Sequence, residues 1–123
     1  MNRINLHKKL WLLAVILVFI ITNQAIMKTN DLFLTIKKEY FNSILSGEKT
    51  EEIRIASTYF ENRLLSKKYD TITLQNGYNK NSPRLTAEFL DLDLREINHE
   101  FFESKPALCL VIKIGKILQT KNV

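Results

Sequence analysis

Residues 47–54, Gly-Glu-Lys-Thr-Glu-Glu-Ile-Arg, set two cations, Lys49 and Arg54, around the carboxylate of Glu52, just after a glycine able to end a helix. Such a trio can hold a phosphate or ribose through Lys49 and Arg54 while Glu52 accepts a hydrogen bond from a base amino group. The same groups could instead run acid–base chemistry, with Glu52 as general base and Lys49 or Arg54 stabilising the charge that develops. The plain alternative is a solvated strand carrying a Glu52–Arg54 surface pair of little energetic weight. In a strand over residues 50–55 side chains alternate, so Ile53 and Ile55 are expected in the core, with Thr50, Glu52 and Arg54 facing a groove. Tyr78, in Asn76-Gly77-Tyr78, is placed to stack on an exposed base, or else to anchor its loop as a partly buried ring.

The elements that must position these side chains can be read from periodicity. Residues 32–36 read as a strand. Residues 38–46 read as a helix with Tyr40, Phe41, Ile44 and Leu45 on one face and Gly47 at its C-terminal cap. Thr58-Tyr59-Phe60-Glu61 fits a capping box and predicts a second helix to Ser66 with Phe60, Leu64 and Leu65 inward. A short strand follows at 71–74, then a loop at 77–82 rich in turn formers. Residues 85–94 alternate, but the phase slips from Leu85, Ala87 and Phe89 to Leu90, Leu92 and Leu94, which predicts a bulge or bend. Residues 95–103 read as a helix presenting Ile97, Phe101 and Phe102, stopped before Pro106. Residues 108–118 are apolar on both faces, as an interior strand requires. The fold class is therefore α+β, a five- or six-stranded mixed barrel with two or three helices.

Gly47, Lys49, Glu52 and Arg54 match a G-x-K-x-x-E-x-R signature, and with it the chain resembles the ASCH domain family, small PUA-like barrels of the bacterial and phage type. Flanking segments extend the resemblance over about residues 32–118. They are Leu34-Thr35-Ile36-Lys37 with Tyr40, Ile44 and Leu45; Asn76-Gly77-Tyr78 with Pro83 and Glu88; and the strand around Leu110 to Ile117. The resemblance implies RNA or nucleotide binding in a cleft, with Lys49, Glu52, Arg54, Tyr78 and Glu88 as the ligand-binding residues. It also carries a rival, a metal-independent hydrolase acting on RNA or a modified nucleoside with Lys49 and Glu52 as its catalytic residues. Glu88 could replace Glu52 as the base. In the amidohydrolase branch of the family a lysine activates a threonine three positions later; here that position is Glu52, and Thr50 has the wrong spacing. A protein-interaction module with an empty cleft is the third reading.

Composition narrows the field around these readings. A chain of 123 residues supports one core. Formal net charge is +5, yet Arg3, Lys8 and Lys9 supply three of that, and fifteen bases face thirteen acids from residue 28 onward. Nucleic-acid binding would therefore need a local patch, because the bulk field is weak. Cys109, the one cysteine, lies in an apolar run and reads as a small buried hydrophobe. His7 and His99 stand far apart, so no metal centre is expected, and without a glycine-rich phosphate loop no cofactor is either.

The N-terminus reads separately from the rest, with 1–27 as a hydrophobic segment and 28–123 as the domain. Residues 10–21 are apolar without interruption, and Ala25-Ile26-Met27 extend them across Thr22-Asn23-Gln24. With Arg3, Lys8 and Lys9 ahead, residues 10–27 read as a single-pass membrane anchor at the lower edge of spanning length. Translation from Met27 would instead give a cytoplasmic domain.

Overall fold

The computed structural model describes residues 2–26, 30–99 and 105–123. In chain order the elements are helix α1 (Asn2–Ile26), strand β1 (Asp31–Ile36), helix α2 (Lys38–Leu45), strand β2 (Glu51–Ile55), helix α3 (Thr58–Leu65), and strands β3 (Thr71–Asn76), β4 (Arg84–Ile97) and β5 (Ala107–Lys121). The strands form one mixed sheet in the order β1-β3-β4-β5-β2. Among the described residues only β1 and β3 run parallel, from Asp31 opposite Thr71 to Ile36 opposite Asn76. The crossover between them carries α2, β2 and α3, and β2 is laid antiparallel against β5 at the far edge.

Burial alternates as a one-sided strand demands. Leu32, Leu34 and Ile36 of β1 face inward with Ile72 and Leu74 of β3, Leu85 and Ala87 of β4, and Leu110, Ile112 and Ile114 of β5. Phe41 and Ile44 from α2, Leu64 from α3, and Tyr69 close this core. Apolar area removed from water, at about 25 cal/mol per Å2, is the main favourable contribution.

The expected phase slip is present. The β4–β5 register shifts between Thr86 and Ala87, Ala87 and Phe89, and Phe89 and Asp91, which bends two long strands. Glu88 stands in this irregular stretch, where its Oε2 accepts from Lys116 N at 3.1 Å.

The barrel does not close through a backbone ladder. The sheet ends on β1 at one side and β2 at the other, and side chains bridge the gap. Arg54 Nη2 on β2 donates to Thr35 O on β1 at 2.9 Å, and Arg63 Nη2 on α3 donates to Phe33 O. Two guanidinium groups thus cap carbonyls that an edge strand would otherwise offer to another chain.

Several expectations are corrected. Residues 95–97 belong to β4, because their cross-strand pairing with residues 107–109 of β5 outweighs a helical pattern. The remainder of that expected helix, with Phe101 and Phe102, lies outside the described residues. The cap of α3 is Ser57, whose hydroxyl accepts from Phe60 N at 3.3 Å, one residue before the expected Thr58. Leu65 is exposed: Phe60 and Leu64, four apart, share the inner face, and the next residue is turned about 100° away.

The membrane anchor is overturned as well. Among the described residues no helix is long and apolar enough to cross a membrane. The unbroken apolar run in α1 is the twelve residues 10–21. That is about 18 Å of helix at about 1.5 Å per residue, against a hydrocarbon core of about 30 Å. Thr22, Asn23 and Gln24 then interrupt it.

Candidate functional site

The parallel pairing of β1 with β3 determines where a site can form. It brings the C-terminal ends of both strands to one end of the sheet, so the segments leaving Ile36 and Asn76 emerge side by side. At that end a cleft of about 530 Å3 is lined by Thr35, Ile36, Lys37, Tyr40, Glu52, Ile53, Arg54, Asn76, Gly77 and Tyr78. That volume lies within the range of small-ligand pockets.

The signature octet enters from the helix end. Gly47 has φ +85°, the left-handed conformation that glycine adopts at low cost after a helix. Its N–H donates to Ile44 O at 3.1 Å, and Lys49 N donates to Ser43 O at 3.0 Å. The chain is thereby turned into β2, where Thr50 O accepts from Ile114 N at 2.9 Å.

The direction of β2 departs in part from expectation. Glu52 and Arg54 face the cleft as anticipated, but Ile53 and Ile55 are 37% and 51% exposed and do not enter the core. The β2 strand is a short edge, and its inner face opens on the seam with β1. Polar side chains therefore occupy the interior side, and the part-exposed isoleucines pair across with Val111 and Cys109 of β5, which are themselves buried.

Glu52 is the most constrained of these residues, at 5% exposure. Its Oε1 accepts from Arg54 Nε at 3.2 Å. Lys49 Nζ lies 3.9 Å from Oε2, too far for a hydrogen bond, and Oε2 has no hydrogen-bond partner among the described residues. Burial raises the Glu52 pKa above the usual carboxylate value; the charges of Arg54 and Lys49 pull against that shift without reversing it.

Arg54 is heavily engaged. Besides Glu52 and Thr35 O, its guanidinium lies over the Phe60 ring at 5.4 Å. Lys49 Nζ lies 4.3 Å from the centre of the Tyr40 ring and keeps partial access to solvent. Both cations thus serve the buried carboxylate before any ligand arrives, and Lys37 lines the cleft beside them.

Tyr78 stands at the rim with 88% of its surface exposed. The structure brings Glu52, Arg54 and Tyr78 to one cleft; Lys49 is not among the residues lining it and stands behind Tyr40 and Glu52, which are. Glu88 is not among the residues lining it and supports the β5 irregularity instead. Lys37 and Asn76, which the octet does not include, also line the cleft, as does Tyr40, expected on the inner face of α2. Lys37 and Asn76 signal themselves only by standing at or just after the end of a strand, which gains meaning once β1 and β3 are parallel.

The ASCH domain family model matches residues 34–121, a span that contains the octet, the Tyr78 loop and every strand except the start of β1. The chain belongs to the ASCH domain family. No curated protein and no solved structure matches it. Membership agrees with the α+β fold, three helices and an open five-stranded sheet among the described residues, and it is consistent with RNA binding in general.

Proposed function

We propose that this ASCH domain binds RNA or a nucleotide by admitting one unpaired base to the cleft, its edge against Glu52 and its face against Tyr78. The observation that carries the reading is Glu52 Oε2, a nearly buried carboxylate oxygen without a hydrogen-bond donor among the described residues. Such an oxygen costs about 1–3 kcal/mol until a donor reaches it. Base amino and imino groups are donors of suitable size. An exposed aromatic ring at the rim of the same cleft supplies stacking, which tolerates any base. In this reading Arg54 holds the carboxylate in place, and Lys37 and Lys49 meet the phosphates.

Titration of the protein with short single-stranded RNA tests the reading. Affinity should fall with salt at a slope set by one or two neutralised phosphates, about −0.7 each on a log–log plot. Glu52→Gln should change base preference while retaining backbone affinity. Equal binding of abasic and base-bearing oligomers would sink the proposal.

One feature favours a second reading, hydrolysis of RNA or a modified nucleoside. A buried carboxylate with a raised pKa and an oxygen without a hydrogen-bond partner among the described residues suits a general base. In that case Glu52→Gln should leave binding intact and abolish turnover.

A further inference from the structure

Two buried polar residues do no work in the reading above. Gln75 is 5% exposed and Ser82 7% exposed, and polar side chains at such depth are retained where their hydrogen bonds are made. Theirs converge on one place. Gln75, on the face of β3 opposite Ile72 and Leu74, donates from Nε2 to Gly77 O at 2.7 Å and accepts at Oε1 from Arg84 Nε. Arg84 is its cross-strand partner on β4 and lies over the Phe33 ring at 5.7 Å. Ser82 Oγ accepts from Asn79 N at 2.9 Å, and Ser82 N donates to Asn79 O at 3.0 Å. Asn76 N donates to Pro83 O at 2.9 Å and ties the loop at its base.

The residue inside this frame is Tyr78. Gly77 before it holds φ +109°, and a Cβ built there would stand 3.0 Å from Ser82 Oγ. Thus Gly77 O is held by Gln75, and Asn79 is pinned on both sides of its backbone by Ser82. An 88% exposed ring is carried on a backbone fixed at the residue before it and the residue after it. A loop that merely connected β3 to β4 would not need two buried side chains spent on the neighbours of its most exposed residue.

We infer that Gln75 and Ser82 are positioning residues that pre-organise Tyr78 as a stacking platform over the cleft, so that little conformational entropy is lost when a planar ligand docks on it. The inference rests on the base-in-cleft reading and adds to it the residues that make the platform rigid. It assigns Gln75 and Ser82 no contact with the ligand.

The decisive experiment is a double-mutant cycle read by binding of a fluorescein-labelled single-stranded RNA hexamer and its abasic counterpart. Gln75→Glu is nearly isosteric. It keeps the acceptor for Arg84 and removes the donor to Gly77 O. Ser82→Ala separately removes the acceptor for Asn79 N–H. Each should weaken binding of the base-bearing hexamer by about tenfold, the scale of losing one stacked base, and leave weak abasic binding unchanged. Each should also speed hydrogen exchange at the Asn79 amide. In a Tyr78→Ala background neither change should weaken RNA binding further, because the platform they serve is gone. Additive losses in that background, equal losses toward the abasic strand, or unchanged affinity in both variants would overturn the inference. If Tyr78→Ala weakens binding but Gln75→Glu and Ser82→Ala do not, the base-in-cleft reading stands and this one falls. If the unmodified protein ignores the hexamer, both fall.

Discussion

At the scale of single residues the chemistry turns on Glu52. Its carboxyl has a pKa raised above the usual 4.5, chiefly by burial. The folded chain therefore holds that proton more tightly than the unfolded chain. The cost of keeping the carboxylate ionised is present in full above the folded pKa, and it is relieved as pH falls through that value toward 4.5. Relative to Glu52→Gln, the unmodified protein should gain stability as pH is lowered across this window, measured by urea unfolding; parallel profiles would show that Glu52 does not titrate as described. Arg54 and Lys49, alike in charge, should differ sharply in effect. Arg54→Ala removes donors from Glu52 and from Thr35 O at once, and should cost about 1–3 kcal/mol. Lys49→Ala loses a distant ion pair and a cation–π contact, at about 1 kcal/mol or less. Equal losses would mean that Arg54 is not the clasp of the seam.

Among the elements, the turn between α2 and β2 decides whether the octet reaches the cleft. Gly47 sits at φ +85°, and a Cβ added there would meet nothing within 4 Å, so conformation alone limits substitution. Gly47→Ala should destabilise by about 1–2 kcal/mol through left-handed strain, and Gly47→Asn should recover part of it, because asparagine visits that region more readily. Thermal unfolding of the pair tests this, and an Ala variant as stable as the original would contradict the assigned backbone. The bulged β4 and β5 strands serve the same end from the other side of the sheet. Their bend carries residues 109–113 of β5 to β2, while residues 84–88 of β4 stay with β3.

For the whole molecule, the described core is assembled from residue 32 onward and takes nothing from α1. A chain beginning at residue 27 should unfold at the same temperature as the full one, since the described side chains of α1, at residues 6–18, are exposed. A marked loss of stability on truncation would show that α1 contributes to the fold. The open sheet adds a feature that neither end of the chain supplies. Arg54 bridges the seam between its edges while Arg63 ties α3 to β1, so cleft and closure share a residue, Arg54. Ligand binding and stability should therefore be coupled, and a bound RNA hexamer should raise the unfolding temperature with concentration.

Much of this was legible from the amino-acid order, because it depends on short-range rules. The β1 strand, α2 with its Gly47 cap, the phase slip in β4, the interior β5 strand and the signature octet follow from periodicity, capping and motif spacing, all of which act within a few residues. Other features required the tertiary structure, because they depend on which strands become neighbours. That β2 is an edge turned the isoleucines outward and Glu52 inward. That β1 and β3 are parallel placed Tyr40, Lys37 and Tyr78 around one cleft. That residues 95–97 found partners on β5 made them strand, and that Glu88 met Lys116 took it out of the cleft. Each outcome is a contact between segments distant in sequence, where burial and hydrogen-bond pairing outweigh local preference.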